Sequence, residues 1–201
     1  MDFYNFSKFA VSAAARALLR ARVFGTENVP RGGPLIVACN HLSYLDPPLM
    51  ASLCPRRISY MAKKELFALP VLGTVIRALG AYAVDRQGSA TAAIRRSLSV
   101  LEAGGAVGIF PEGTRNPSGE VQPQTGVALL ASLGKAPVVP ACIVGSDRAL
   151  RFAQISVAFG APLALEAGRK ATREDLAKFT GEVMSAIELL AGSIGSIGGN
   201  S

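Results

Sequence analysis

Six short runs of β-forming, apolar residues alternate along this chain with stretches of helical periodicity, and that alternation constrains the fold more than any other feature. The runs fall at 34–39, 58–61, 81–84, 106–110, 137–143 and 155–159. Helical stretches at 47–53, 65–79 (interrupted near Pro70), 90–103, 124–134 and 173–191 lie between and after them. The pattern predicts an α/β fold, a mixed and largely parallel sheet flanked by helices, because parallel neighbours need a crossover long enough to hold a helix. Ser89 is placed to cap the helix from 90, and Thr172 with Asp175 forms a variant capping box for the last one. Pro140 lacks a backbone donor, which assigns its strand to an edge or a bulge.

No repeat or linker divides the 201 residues. One domain is expected, large enough to bury about 70% of its unfolded surface. The organisation reads as an N-terminal amphipathic helix within 1–24, an α/β domain over 25–192 and a flexible glycine- and serine-rich tail over 193–201. Within the first segment Lys8, Ser12, Arg16 and Arg20 recur every four positions as one basic stripe, with Phe6, Phe9 and several alanines off it. Two readings fit: a terminal helix covering the core, or an interfacial helix with apolar side chains in the acyl region and cations against headgroups.

Half the residues are hydrophobic and the mean hydropathy is +0.34. No uncharged apolar run reaches the roughly 18 residues that a membrane-spanning helix requires. The start, Met1-Asp2-Phe3-Tyr4, has no basic segment of the secretory kind. Cys39, Cys54 and Cys142 make no even framework and suit a reducing cytoplasm. The net charge of +7 is unevenly spread: residues 1–90 carry 11 basic and 5 acidic side chains, and residues 91–201 carry 10 and 9. An anionic partner is implied, either a membrane surface or a phosphorylated substrate. Nucleic acid is disfavoured, because no aromatic-basic interleaving or binding motif accompanies the charge.

The basic half also holds His41, the one histidine of the chain. It follows the apolar run at 34–39, so it sits just past a strand's carboxyl end, where open α/β sheets place their ligands. Asp46 comes five residues later and precedes Pro47, which reads as an N-cap followed by the first helical residue. A second constellation follows the run at 106–110: Phe110-Pro111-Glu112-Gly113-Thr114-Arg115-Asn116. A glycine turn with a carboxylate and a guanidinium can present backbone N–H groups and an arginine fork to a phosphate. One histidine and scattered carboxylates give no metal-ligand set, and no glycine-rich fingerprint supports a nucleotide cofactor.

Together these segments resemble the glycerolipid acyltransferase family, which includes the 1-acylglycerol-3-phosphate acyltransferases. The resemblance covers roughly residues 34–146. Asn40-His41 with Asp46 matches the first family block, and Gly80 through Arg86 the second. Phe110 through Arg115 matches the third, and Val138 through Gly145 the fourth. Asn116 stands where serine is frequent in the family, and Ala83 where an aromatic is common.

The resemblance implies acyl transfer from acyl-CoA or acyl-carrier protein to a phosphorylated glycerolipid acceptor of the lysophosphatidate kind, at the cytoplasmic face of an anionic membrane and with no cofactor. His41 is then the general base, and Asp46 holds its other ring nitrogen. Arg86 and Arg115 are the candidates for the acceptor's phosphate. Glu112, Gly113 and Thr114 complete the substrate site, Glu112 by orienting an arginine or the glycerol hydroxyls. The stretch from Leu66 to Ile76 reads first as a core helix with a proline break and second as an apolar wall for an acyl chain. Three alternatives stand beside this one: Cys39 as a nucleophile sharing a strand face with His41, a non-enzymatic basic lipid-binding protein at the membrane surface, and an acyltransferase acting on another lysolipid or lipid alcohol.

Overall fold

The computed structural model describes residues 3–84, 90–116, 121–151, 153–166 and 171–198. Arg86, Ser89 and residues 199–201 lie outside them. The helices are α1 (Phe3–Leu18), α2 (Asp46–Leu53), α3 (Pro70–Ala78), α4 (Ala90–Glu102), α5 (Gly126–Gly134) and α6 (Arg173–Gly198). The strands are β1 (Arg22–Phe24), β2 (Leu35–Cys39), β3 (Ile58–Lys63), β4 (Ala81–Val84), β5 (Ala106–Ile109), β6 (Val138–Val144) and β7 (Ser156–Phe159). They form one seven-stranded sheet in the order β1-β7-β6-β2-β5-β3-β4. Every pair is parallel except β6 with β7. The fold is the expected α/β class with helices on both faces.

Side-chain alternation along the central strands divides the core in two. Leu35, Val37 and Cys39 of β2 pack with Val139, Ala141 and Ile143 of β6 under α1 and α2. Ile36 and Ala38 face the other way, with Val107, Val138 and the apolar residues of α5 and α6. Both faces of β2 are fully buried, which is why its sequence is a continuous apolar run. Thr172 and Asp175 cap α6 reciprocally: Asp175 N–H donates to Thr172 Oγ1 at 3.2 Å, and Thr172 N–H donates to the Asp175 carboxylate at 2.8 Å.

Four features depart from the sequence expectation. Pro140 lies in β6, an interior strand. Its carbonyl accepts from Gly160 N–H at 2.8 Å, so its donor-less nitrogen faces the same side, just past the end of β7. The ladder to β2 uses the alternate residues and is untouched. β1 went unrecognised because a three-residue edge strand carries no readable periodicity. The long apolar stretch is split: a 3-10 turn spans Lys64–Ala68, and α3 begins at Pro70, whose fixed φ suits a first helical turn. Finally, α6 continues to Gly198 through residues expected as tail, because Ile194 is buried in the core.

The basic stripe of the first helix also breaks up. Lys8 is half buried and donates to the Arg56 carbonyl at 3.3 Å, and burial lowers its pKa. Arg20 lies beyond the helix in a left-handed conformation. Tyr4 and Ala15 point inward, which leaves Phe3, Phe6 and Phe9 exposed on the outer side. The solvent side of α1 therefore carries these three aromatics together with the exposed Arg16, where a continuous charged stripe was expected.

The role of Ile194 is open to a direct check. Ile194→Ala should lower unfolding stability by about 2–4 kcal/mol, the usual cost of such a truncation in a core. Urea denaturation measures it. A shift within experimental error would mean that the end of α6 is not part of the folded core.

Candidate active site

The site assembles where β2 and β5, adjacent and parallel, both end. Their extensions carry His41 and Phe110, whose rings stack with centroids 4.3 Å apart and planes 27° apart. His41 Nδ1 lies 3.0 Å from Asp46 Oδ2. The same carboxylate oxygen accepts the backbone N–H groups of Leu42 and Ser43, each at 2.6 Å. Asp46 is fully buried and the His41 side chain is 15% exposed. Asp46 is thus the first residue of α2, not its N-cap. Its side chain turns back to the loop instead of forward to the helix, and it fixes backbone and imidazole with one oxygen.

Five-residue spacing works because residues 40–45 form a loop before α2. The loop is anchored at its base by Asn40, whose side chain brackets Ile143 of β6. Asn40 Nδ2 donates to the Ile143 carbonyl at 3.0 Å, and Ile143 N–H donates to Asn40 Oδ1 at 2.8 Å. Cys39 is wholly buried beside it, and burial pushes its thiol pKa well up. A thiol held in that state is a poor nucleophile, which removes the cysteine alternative.

Glu112 ties the second constellation to the first. Its Oε2 accepts the backbone N–H of His41 at 2.8 Å, and its Oε1 accepts from Asn116 Nδ2 at 3.2 Å. Asn116 N–H in turn donates to the His41 carbonyl at 2.7 Å. Glu112 and Asn116 are both buried. Both carboxylate oxygens are engaged inward, so Glu112 orients neither an arginine nor an exposed hydroxyl; it holds the backbone of His41. Burial raises its pKa, against the lowering effect of the His41 and Asn116 hydrogen bonds. Ionisation then costs more in the fold than in the unfolded chain, so Glu112 alone makes stability fall as pH rises through its titration.

Gly113 has φ +68°, and a Cβ there would meet the Gln124 side chain at 2.8 Å, so the turn requires glycine. The turn leaves Thr114 and Arg115 exposed at a cleft of about 240 Å³ that also contains His41, Tyr44, Lys63, Gly113 and Phe110. Below this rim the wall is apolar: Met61, Leu66, Leu72, Ile76 and Ile109. The stretch from Leu66 to Ile76 therefore contributes to both the core and the cleft. The Arg115 guanidinium packs on the Tyr44 ring.

Of the residues singled out in the sequence, His41, Asp46, Glu112, Gly113, Thr114 and Arg115 come together. Arg86 is outside the described residues. Sequence reasoning missed the parts played by Asn40, Tyr44, Lys63 and Asn116. Asn116, noted only as a departure from the family pattern, offered a hint through its place next to Arg115. Asn40 stood in the first family block without a role of its own, and nothing in the pattern marked Tyr44 or Lys63.

The acyltransferase family model matches residues 20–144. The chain belongs to the glycerolipid acyltransferase family. It is 35% identical over 143 residues to the 1-acyl-sn-glycerol-3-phosphate acyltransferase of Bacillus subtilis, covering 71% of each chain. It is 32% identical over 133 residues to the human 1-acyl-sn-glycerol-3-phosphate acyltransferase beta, covering 61% of this chain and 45% of that protein. The fold is similar to that of the 1-acyl-sn-glycerophosphate (LPA) acyltransferase PlsC from Thermotoga maritima. The TM-score is 0.70 at 24% identity, over 93% of this chain and 81% of that one. The matched segment spans 71% of the Bacillus subtilis protein and less than half of the human one. Family membership displaces the alternative of a non-enzymatic lipid-binding protein.

Glu112→Gln tests the link between the two constellations. An amide offers one acceptor where two N–H donors converge, so one of them is left facing an N–H group. Turnover should fall by about 10- to 100-fold, in the range of a lost hydrogen bond to a charged group, with the fold retained by circular dichroism. Unchanged turnover would show that the His41 backbone is held without Glu112.

Proposed function

We propose that this protein transfers a fatty acyl group from a thioester, acyl-CoA or acyl-carrier protein, to the free hydroxyl of a lysophosphatidate-like acceptor, giving phosphatidate. The observation that carries this reading is a buried His–Asp pair opening onto a cleft with a cationic rim and an apolar wall. An amphipathic acceptor and an acyl thioester both match those two surfaces. The Bacillus subtilis and human relatives are named for this acceptor.

The chemistry follows from the geometry. With Nδ1–H donated to Asp46, His41 carries its lone pair on Nε2. Nε2 takes the acceptor hydroxyl's proton as the oxygen attacks the thioester carbonyl. The tetrahedral intermediate collapses, the C–S bond breaks, and the leaving thiolate takes the proton from the imidazolium. No acyl-enzyme forms. Most N–H groups at the helix start are engaged: Leu42 and Ser43 N–H go to Asp46, Leu45 N–H goes to Ser43 Oγ, Asp46 N–H goes to the Ser43 carbonyl, and residues 47 and 48 are prolines. This favours the turn at 112–115, which borders the same cleft, as the source of backbone donors, with Gly113 N–H taken by the Phe110 carbonyl. Arg115, with Lys63 on the rim, would take the acceptor's phosphate; we keep Arg86 in that role from the family's second block.

We place the protein at the cytoplasmic face of an anionic membrane. No helix among the described residues is long and apolar enough to cross one. Phe3, Phe6 and Phe9 line the outer side of α1 at 68%, 58% and 65% exposure, and Leu69 and Val71 are exposed beside the cleft's Leu66 and Leu72. Such apolar side chains near cations suit burial at the headgroup boundary.

Two measurements test the proposal. Anionic liposomes carrying lysophosphatidate are mixed with acyl-CoA, or with acyl-carrier protein, and the products are read by mass spectrometry. Phosphatidate should form with the native chain and fall by about 10²- to 10⁴-fold or more with His41→Ala, the usual contribution of a general base. Full activity in His41→Ala would refute the mechanism, and no product from either donor would refute the acceptor. The triple variant Phe3→Ser/Phe6→Ser/Phe9→Ser should lose vesicle co-sedimentation; retained binding would refute docking through α1.

A further inference from the structure

Arg115 and Tyr44 meet at the mouth of the cleft, one from each constellation. The guanidinium carbon lies 3.9 Å from the centroid of the Tyr44 ring, and an Arg115 terminal nitrogen donates to the Tyr44 hydroxyl at 3.1 Å. Tyr44 is 50% exposed, so packing against the core does not account for its ring. The two contacts fix different things. The ring contact places the guanidinium carbon over the ring face, and the hydrogen bond restricts rotation about that contact.

Tyr44 is itself held. It lies in the loop whose Leu42 and Ser43 N–H groups are bound to Asp46 and whose Leu45 N–H is bound to Ser43 Oγ. An exposed arginine otherwise samples many rotamers and loses that freedom when it binds an anion. Among the described residues one of its five N–H donors is committed to the phenol, and the other four stay available to a ligand.

We propose that Tyr44 is a positioning residue for the acceptor's phosphate: it holds the Arg115 guanidinium oriented before the phosphate monoester arrives. The inference rests on the reading of Arg115 as a phosphate ligand. It also connects the loop that carries the base with the group that locates the acceptor, so the hydroxyl and His41 are brought to one register by a single loop.

Steady-state kinetics with detergent-dispersed lysophosphatidate and a saturating acyl-thioester donor test the role. Tyr44→Ala should raise KM for the acceptor about tenfold with kcat within about twofold, the signature of lost ground-state binding. Tyr44→Phe keeps the stacking surface and should bring KM back to within about threefold of the native value. In an Arg115→Ala background, Tyr44→Ala should add less than about twofold, because the two residues act as one unit. A monoacylglycerol acceptor, which has no phosphate, should be used equally by the native chain and by Tyr44→Ala.

An unchanged KM in Tyr44→Ala alongside a raised KM in Arg115→Ala would overturn the positioning role alone. Additive effects in the double variant, or an equal loss with monoacylglycerol, would overturn it too. An unchanged KM in Arg115→Ala would overturn the phosphate reading of Arg115 and the positioning role with it.

Discussion

One buried oxygen, Asp46 Oδ2, organises the site. It receives the imidazole nitrogen of His41 and the backbone N–H groups of Leu42 and Ser43. A fully buried carboxylate is costly unless its hydrogen bonds are made; three donors converge on Oδ2, while Oδ1 is buried with no partner among the described residues. The arrangement determines where the loop goes: both N–H groups turn inward, and the chain must reverse from the end of β2 into α2. The first turn of α2 adds a favourable dipole for an acidic side chain. The carboxylate that orients the base therefore also shapes the loop bearing it, so the geometry of the base cannot drift independently of the backbone.

The second constellation does for the backbone of His41 what Asp46 does for its ring. Glu112 accepts the residue's N–H, Asn116 donates to its carbonyl, and Phe110 covers a face of the imidazole. His41 is thus fixed at its ring nitrogen by Asp46, five positions on, and at its ring face, amide and carbonyl by residues about 70 positions away that follow the neighbouring strand β5. The parallel pairing of β2 with β5 makes this possible, because it brings both strand ends to the same side of the sheet. The raised pKa of Glu112 is the physical cost of placing that carboxylate in the interior.

Much of this was legible in the sequence, for reasons that can be named. Doubly buried strands read as continuous apolar runs, so β2, β5 and β6 were recognisable, and the Asp-Pro step marked the start of α2 to within one residue. His41 and Asp46 stood out because the chain has no other histidine. The errors share a cause, which is dependence on neighbours that no local window contains. Pro140 looked misplaced in an interior strand because nothing local shows that β7 stops beside it. Lys8 was counted in a solvent stripe because the Arg56 carbonyl that draws it inward lies 48 residues away. Glu112 was taken for a ligand-facing acid because its partner, the amide of His41, becomes visible only when the strands are paired.

The cleft is also amphipathic in its lining. Its rim and wall are separated along β3 and β5, with cations toward the strand ends and aliphatic side chains below. His41 lines the same cleft. The ester bond of a glycerolipid lies between a charged headgroup and a hydrocarbon chain, so a base in a cleft with both kinds of lining suits the proposed acceptor. Apolar residues on the outer side of α1 and at the start of α3 continue the same division onto the surface. Apolar side chains thus lie beside cations both in the cleft and on the exposed faces, a layout that the proposed amphipathic substrate would match.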